Sequence, residues 1–257
     1  MSTPDAVLFD LDGTLTDSAP GLISCIRFAL DEMGIDHPDE ETMRTFLGPP
    51  LWVTFRDHFG LDETQVVRAI ELYRERYHDT GMFENTVYDG IQDTLEALRD
   101  ANIRMAIATS KPEYSATRIL EHFDLAQYFE FIGADDLEGT RASKTKVIAH
   151  VLANTGLDPT TQRLTMVGDR RHDVEGAASH GIDTIGVLWG YGDHEELMSA
   201  GAHRIVATPA DLTAVLTPRA PQAWLRPNRR VRSSVTTTRT SSRMESPPHT
   251  CVQISHT

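Results

Sequence analysis

The chain has 257 residues, of which 40% are hydrophobic, and a formal net charge of −14 at pH 7. This composition is that of a globular protein with a well-buried core, in one large domain or two small ones. The acidic balance argues against nucleic acid as a main partner, because phosphate backbones are bound by Lys and Arg. Two cysteines, Cys25 and Cys251, form no disulfide framework, which favours a reducing compartment. Since the N-terminal residues show neither a signal-like apolar segment nor a membrane span, we expect a cytoplasmic protein without a membrane partner.

The first predicted element is a buried strand at residues 6–9, which leads directly into Asp10-Leu11-Asp12-Gly13-Thr14. Residues two apart on a strand point the same way, so the motif places Asp10 and Asp12 side by side. Two like charges this close are unfavourable unless a cation or a shared proton compensates. Mg²⁺, a hard cation that prefers oxygen ligands, is the natural compensation. On its own, the same motif also fits an ordinary turn after a strand.

Residues 17–85 read as helices only, with apolar side chains at helical spacing. Ligands of open parallel sheets bind at the carboxyl ends of the strands, so an insertion leaving from that edge would form a lid. The turn within it offers Arg44, Gly48 and Trp52 as candidates for substrate specificity: Arg suits a carboxylate, and Trp can stack on a nucleobase. The competing interpretation, which the sequence favours, puts Trp52 and Phe55 in the core of the insertion.

The rest of the chain, to residue 217, alternates short apolar runs with amphipathic patterns. The runs lie at residues 104–109, 129–133, 164–168 and 184–188, and the helical patterns at 91–101, 116–123, 146–155 and 174–180. Alternating strands and helices predict an α/β fold with a parallel sheet.

Two of these predicted strands end in polar residues. One delivers Thr109 and Ser110 just before a helix start, where hydroxyl and backbone N–H groups can hold an anion, although such residues are also ordinary helix caps. Another ends in Gly168-Asp169 and is followed by Asp173 on the first helical turn. Together with the first motif, these acids form an oxygen-rich cation site at one edge of the sheet.

Lysine is rare in this chain. Of its 24 basic residues three are lysines, namely Lys111, Lys144 and Lys146. A compact ammonium acts as a point charge on a phosphoryl oxygen and is not interchangeable with a guanidinium. Lys144, just before the helix that leads to the Gly168 strand, is therefore favoured for phosphate binding over the other two.

Residues 218–257 differ in composition from the rest. They contain seven arginines against the single acid Glu245, so they carry +6 and the preceding residues −20. This Ser/Thr/Pro/Arg-rich segment has too little apolar surface to offset its ordering entropy and is predicted to be disordered. A basic tail can bind nucleic acid or an anionic membrane, but a solvated extension is the favoured interpretation.

Over residues 5–216 the chain resembles the phosphatases of the haloacid dehalogenase superfamily. The resemblance rests on four motifs in order: Asp10-x-Asp12-Gly13-Thr14, Thr109, Lys144 and Gly168-Asp169-x-x-x-Asp173. It implies a Rossmann-like doubly wound parallel sheet, formed by residues 1–16 and 86–217, with an inserted all-helical cap at residues 17–85.

The resemblance also implies roles for these residues. Asp10 would be the nucleophile that forms an aspartyl-phosphate, and Asp12 the acid/base. Mg²⁺ would be held by Asp10, the backbone carbonyl of Asp12 and Asp169, with Asp173 supporting it from behind. The phosphoryl oxygens would be bound by Gly13, Thr109, Ser110 and Lys144.

The implied activity is Mg²⁺-dependent hydrolysis of a small soluble phosphate ester. The stretches 83–90, 168–173 and 189–192 are similar to a subgroup labelled phosphoglycolate phosphatase or 5′-nucleotidase, some members of which carry a protein-tyrosine kinase label. Asp12 argues against a dehalogenase, which lacks this carboxylate, and the lack of any lysine before Lys111 argues against a Schiff-base phosphonate hydrolase.

Two alternatives stay open. One is a phosphotransferase or mutase that passes the phosphoryl group to an organic or protein-tyrosine acceptor instead of water. The other, more remote, is a non-catalytic receiver-like signalling module, which also combines an acidic pocket with a hydroxyl residue and a lysine but is shorter and lacks a cap. The sequence makes no prediction of the oligomeric state.

Overall fold

The computed structural model describes residues 3–47, 51–136, 140–141 and 143–217, and these form a sheet of six parallel strands with helices around it. The strands of the chain are β1 (Ala6–Phe9), β2 (Thr16–Asp17), β3 (Thr86–Val87), β4 (Arg104–Pro112), β5 (Phe131–Asp135), β6 (Leu164–Gly168), β7 (Asp183–Val187) and β8 (Arg204–Val206). The sheet order is β5-β4-β1-β6-β7-β8, and β2 pairs with β3 in a separate antiparallel ribbon. β1 therefore lies in the middle, between β4 and β6.

Ten α-helices are defined in the described residues. They are α1 (Ala19–Glu32), α2 (Glu40–Arg44), α3 (Leu51–Val53), α4 (Glu63–Asp79), α5 (Ile91–Asp100), α6 (Glu113–His122), α7 (Lys144–Thr155), α8 (Arg171–Ala178), α9 (His194–Ala200) and α10 (Pro209–Leu216). A π-helical turn, Thr54–His58, continues α3, and short 3₁₀ turns occupy Gly81–Phe83 and Ala126–Tyr128. None of the described helices has the length and apolar character that a membrane span requires.

Helices cover both faces of the sheet. Successive strand residues point to opposite faces, and β1 is buried throughout. Val7 and Phe9 belong to the cluster that includes buried residues of α5, α6 and α10. Ala6 and Leu8 pack instead with residues of α7 and α8. The prediction of an α/β, Rossmann-like doubly wound parallel sheet is confirmed.

Along the chain, helices α1 to α4 come between β2 and β3, the two strands of the small ribbon. Thr16 pairs with Val87 and Asp17 with Thr86, so the segment between these strands begins and ends at the same place. Between them, α1 and α4 pack against each other, with Ile23 and Tyr73 in a common buried cluster. The helical content expected for residues 17–85 is seen in the described part of this range.

The domain boundaries stay predictions. Contacts group residues 1–219 into one compact unit, and the disorder expected for residues 218–257 falls outside the described residues.

The sequence misplaced several helix starts and one core residue. α6, α7 and α8 each begin two or three residues before the predicted patterns, because their first turns are polar and lack apolar periodicity. The expectation that Trp52 belongs to a core is wrong, since it is 49% exposed, whereas Phe55 is fully buried as expected. The π-helical turn that begins at Thr54 widens the helical spacing, so residues three apart no longer share a face.

Candidate active site

Three adjacent strands bring the predicted site residues to one edge of the sheet. Asp10 follows β1, Thr109 lies near the end of β4, and Asp169 directly follows β6. Because β1 is flanked by β4 and β6, their carboxyl ends meet, as expected of ligand sites in open α/β sheets.

Three carboxylates form the floor of the site. One oxygen each from Asp10, Asp169 and Asp173 lie within 4.8 Å of one another. Asp173, on the first turn of α8, accepts the N–H of Arg170 (3.1 Å) and is buried, as is Asp169. A Cβ on Gly168 would lie 2.3 Å from the carboxyl carbon of Asp173, so the acid can approach the strand end only because that residue is glycine.

The environment of these acids disfavours their charged forms. Burial raises the pKa of Asp10 to about 6, against the opposing effect of Lys144. Burial, with the nearby charges of Asp173 and Asp10, raises the pKa of Asp169 to about 8. Clustered buried carboxylates are stabilised in their ionised form by a hard divalent cation. The acid triad could therefore hold a metal ion.

Lys144 supplies the positive charge at this floor. Its side chain is 4% exposed, and Nζ lies 2.8 Å from Oδ1 of Asp10 and 2.7 Å from Oδ1 of Asp173. The ammonium also donates to the Ala108 carbonyl (2.9 Å). Burial lowers its pKa, but the two carboxylates outweigh that effect and hold the pKa above its usual value. The structure thus brings Lys144, chosen from the sequence, into direct contact with Asp10.

Lys111, which the sequence ranked below Lys144, also lies beside the acids. Its side chain is 7% exposed, with Nζ 2.7 Å from Oδ2 of Asp12 and 5.4 Å from the centre of the Tyr77 ring. The other Asp12 oxygen, Oδ1, is buried and accepts no hydrogen bond in the described part of the chain. The clue in the sequence was that Lys111 follows the hydroxyl pair directly, on a strand that continues to Pro112.

Thr109 and Ser110 reach the site in different ways. Thr109 is buried, and its Oγ1 accepts the N–H of Lys111 (3.3 Å), so it also shapes the end of β4. Ser110 is exposed and lines the cleft above the acids.

The phosphate-binding role of Gly13 stays a prediction. Its backbone N–H donates to the Thr16 carbonyl (2.8 Å) within the turn. The turn also requires glycine at this position. Its φ is +81°, and a Cβ there would lie 2.2 Å from Oδ2 of Asp169, so only glycine lets the turn pass over the acid.

A cleft of about 580 Å³ opens above the acids. Residues between positions 17 and 85 form its apolar wall: Leu22, Ile26, Phe46, Leu47, Leu51, Tyr73 and Tyr77. Arg74, His78 and His172 add polar groups. This volume lies within the range of about 300–1,000 Å³ typical of small-molecule pockets.

The candidates for substrate specificity do not line this cleft among the described residues. Arg44 is exposed and pairs with Glu40 (3.3 Å), and Trp52 stacks under Arg56, whose guanidinium carbon is 4.7 Å from its ring. Gly48 lies outside the described residues. Arg74 of α4, which the sequence did not single out, lines the cleft instead.

Comparisons with known proteins agree with this architecture. A protein of Mycobacterium tuberculosis named Tyrosine-protein kinase PtkA is 49% identical over 190 residues, which cover 74% of this chain. The chain spans only 64% of that relative's length. The solved structure of PtkA superposes with a TM-score of 0.73 and 44% identity, covering 84% of this chain and 99% of the solved one.

Relatives with phosphatase names match as well. A 5′-nucleotidase of Pseudomonas aeruginosa is 42% identical over 209 residues, covering 81% of this chain and 92% of the relative. A phosphoglycolate phosphatase of Pseudomonas putida is 30% identical over 220 residues, covering 83% of this chain and 79% of the relative. Residues 7–187 match the profile of the family described as haloacid dehalogenase-like hydrolase. The resemblance seen in the four motifs is thus confirmed, and the chain belongs to the haloacid dehalogenase-like hydrolases.

Proposed function

We propose that the protein is a Mg²⁺-dependent phosphate monoester hydrolase that acts through an aspartyl-phosphate. The observation that carries this proposal is the pairing of two acids that follow β1 with two lysines, one on β4 and the other at the start of α7. Asp10 contacts Lys144 at 2.8 Å, and Asp12 contacts Lys111 at 2.7 Å. The first acid lies in a buried carboxylate cluster, and the second lies outside it, next to the cleft. This arrangement separates a nucleophile from an acid/base.

The chemistry follows from these positions. A carboxylate oxygen of Asp10 attacks phosphorus, and the bond from phosphorus to the ester oxygen breaks while Asp12 gives that oxygen its proton. Asp12 then takes a proton from water, whose oxygen attacks the phosphoryl group and frees Asp10 and phosphate. A covalent intermediate divides one difficult step into two easier ones. Lys144 balances charge on the phosphoryl oxygens, and Lys111 orients Asp12.

The donor set fits Mg²⁺. The ion would be held by Asp10, Asp169 and the Asp12 carbonyl, with Asp173 contributing from α8. Burial and the neighbouring carboxylates raise the pKa of two of these acids, Asp10 and Asp169, so a bound cation would favour their ionised forms. When bound, the ion would neutralise the negative charge of the phosphoryl group.

The substrate we propose is a small soluble phosphate ester of the phosphoglycolate or nucleoside 5′-monophosphate type. The names of two relatives support this class, as does a cleft with polar groups at the floor and apolar residues on the wall. Thr109 and Ser110 would contact the phosphoryl oxygens together with Lys144. We further propose that the chain works in the cytoplasm, with residues 17–85 as a cap on residues 1–16 and 86–217.

The test is phosphate release by the purified full-length protein from 2-phosphoglycolate, nucleoside 5′-monophosphates and an aryl phosphate. Release is expected with Mg²⁺ and not with chelator. Asp10→Asn and Asp12→Asn should each lower the rate more than about a thousandfold. Asp100→Asn, at an exposed aspartate on α5, is the matched control and should behave as wild type. Substantial hydrolysis by Asp10→Asn would exclude the mechanism.

A second function, phosphoryl transfer to a protein tyrosine, is favoured by one observation, the 49% identity to PtkA. The same preparations would be incubated with ATP and a tyrosine-containing peptide. If phosphopeptide forms faster than free phosphate, and if Asp10→Asn forms none, the function is phosphoryl transfer and not hydrolysis.

A further inference from the structure

The loop after β7 is pressed against the acid cluster. It contains Trp189-Gly190-Tyr191-Gly192. A Cβ on Gly190 would lie 2.2 Å from the Gly13 carbonyl oxygen and 2.4 Å from Cβ of Asp169. One on Gly192 would lie 2.0 Å from the Asp169 carbonyl oxygen. Only glycines allow such an approach, so the loop has a fixed position over Asp169.

Tyr191 uses this position to contact two parts of the molecule. Its backbone N–H donates to Oδ2 of Asp169 (2.7 Å). Its phenol oxygen accepts the backbone N–H groups of Ser18 (2.8 Å) and Ala19 (3.0 Å) and donates to Oδ1 of Asp17 (3.1 Å). One partly buried residue thus connects an acid of the floor with the start of α1.

The start of α1 depends on this outside partner. The first N–H groups of a helix have no acceptor within the helix and are usually satisfied by the residue before it. Ser18 holds that place, but its side chain makes no capping hydrogen bond to α1. Pro20, in the first turn, has no N–H to satisfy. The phenol of Tyr191 therefore takes the role of the helix cap, together with Asp17, which also accepts the Ala19 N–H (3.1 Å).

Helix α1 continues from this point into the wall of the cleft. Leu22 and Ile26, one and two turns later, both line it. Trp189 of the same loop contacts the turn after β1, because its Nε1–H donates to the Thr14 carbonyl (2.9 Å). A change in the direction of α1 would therefore move apolar wall residues relative to the acids.

We infer that Tyr191 is a positioning residue, which joins Asp169 to the first turn of α1 and so sets the substrate-facing wall relative to the reacting carboxylates. The inference rests on the proposed function for its effect on turnover. The connection itself does not depend on that function and can be measured without substrate.

The first test compares backbone hydrogen exchange in wild type, Tyr191→Phe and Tyr88→Phe, all in the full chain. Tyr191→Phe keeps the ring and the backbone N–H to Asp169 and removes only the phenol oxygen. Exchange at Ser18 is expected to rise about five- to tenfold, the size of effect for losing a hydrogen bond. The rise at Ala19 should be smaller, because Asp17 still accepts its N–H. Tyr88→Phe is the matched control, because the partly buried Tyr88 hydroxyl makes no hydrogen bond to any described residue. Unchanged exchange in Tyr191→Phe would overturn the inference.

The second test uses turnover of two donors by the same proteins. For a nucleoside 5′-monophosphate, whose organic part reaches the wall, kcat/KM of Tyr191→Phe should fall about tenfold. For acetyl phosphate, which is too small to reach α1, the fall should be less than about twofold. The Mg²⁺ concentration for half-maximal activity should not change. An equal loss for both donors would show a merely structural role and overturn the inference.

The two failures are distinguishable. If wild type releases phosphate from no donor, the proposed function has failed, and the exchange at Ser18 and Ala19 still decides whether Tyr191 holds α1. If wild type is active and Tyr191→Phe has wild-type exchange and donor preference, the inference fails while the proposed function stands.

Discussion

At the scale of single residues, the site is arranged around two buried ammonium groups. Lys144 lies between Asp10 and Asp173, while Lys111 is held between Asp12 and the ring of Tyr77. Each lysine thus forms an ion pair with one of the two proposed catalytic acids. Removing either should affect a different property of the protein.

Lys144→Met should abolish phosphate release and destabilise the fold. The substitution leaves Asp10 and Asp173 buried without their cation, which typically lowers the free energy of unfolding by about 3–5 kcal/mol. Urea unfolding in chelator measures this loss. Lys146→Met is the matched control, since Lys146 is exposed and its Nζ contacts only the Thr140 carbonyl among the described residues; it should change stability by less than about 0.5 kcal/mol. Equal stability of the two variants would contradict the role of Lys144.

Lys111→Met should act on rate rather than on metal binding. Without its ammonium the Asp12 carboxylate loses the partner that orients it, so kcat should fall about 10- to 100-fold. Lys111 contacts none of Asp10, Asp169 and Asp173 in the described residues, so the Mg²⁺ concentration for half-maximal activity should stay within about twofold of wild type. Steady-state kinetics over a Mg²⁺ titration separates the two effects. A shifted Mg²⁺ requirement with unchanged kcat would assign Lys111 to the cation instead.

At the scale of elements, helix α4 begins with a pair of capping hydrogen bonds at the surface, and its later residues line the cleft. Asp62 accepts the N–H of Gln65 (2.9 Å), and the Gln65 side chain accepts the N–H of Asp62 (3.1 Å). This reciprocal pair begins the helix. Tyr73, Arg74 and Tyr77 line the cleft two to three turns later.

Asp62→Ala should lower the free energy of unfolding by about 1 kcal/mol, because it removes the acceptor of this capping box. Turnover at 25 °C should stay at the wild-type level, since Tyr77 lies about 18 Å along the helix from Gln65. Chemical denaturation and the phosphate-release assay measure the two quantities. Thr64→Ala, an exposed neighbour at the same helix start, is the control and should change neither. A loss of turnover in Asp62→Ala would show that the helix transmits the change to the cleft.

The elements that the sequence predicted well are those with strong apolar runs. The five predicted strands all occur in the sheet. β8 and the β2–β3 ribbon were not predicted, because strands of two or three residues show no periodicity. Some helices were predicted to start later than they do, because their first turns are polar and show no apolar spacing. Before α7, for example, the Ser143 side chain accepts the Lys146 N–H (3.4 Å), and such hydrogen bonds stabilise a first turn without apolar packing.

At the scale of the whole molecule, topology explains which site residues were predictable. Motifs at strand ends converge in any sheet of this order, so the proximity of Asp10, Asp169 and Thr109 could be predicted from sequence alone. Lys144 begins a helix and was selected because lysine is rare in this chain. The wall of the cleft depends on which faces of α1 and α4 turn inward, and that is decided by packing between distant segments. For this reason Arg44 and Trp52 were plausible and Arg74 and Tyr77 were overlooked.

The acid cluster should make the stability of the metal-free protein depend on pH. Burial raises the pKa of Asp10 to about 6 and that of Asp169 to about 8, from 3.8. Between pH 3.8 and these raised pKa values the folded state binds more protons than the unfolded state. The contribution to stability is therefore complete below about pH 4 and is lost as the pH rises to about 8. In chelator, the free energy of unfolding should therefore decrease from about pH 5.5 to about pH 8 by an amount on the order of 3 kcal/mol.

Asp169→Asn isolates this effect from all other titrations. An amide does not ionise, so the variant should lose less stability than wild type over the same pH range and should be the more stable of the two at pH 8 in chelator. Saturating Mg²⁺ should reverse that order, because a bound ion stabilises the folded state only where its ligands are intact. Denaturant unfolding at two pH values, with and without Mg²⁺, gives the four comparisons, and Asp100→Asn should follow wild type in each. A wild-type curve that is flat with pH and unmoved by Mg²⁺ would mean that these carboxylates bind no cation, and the proposed hydrolysis would then need another source of positive charge.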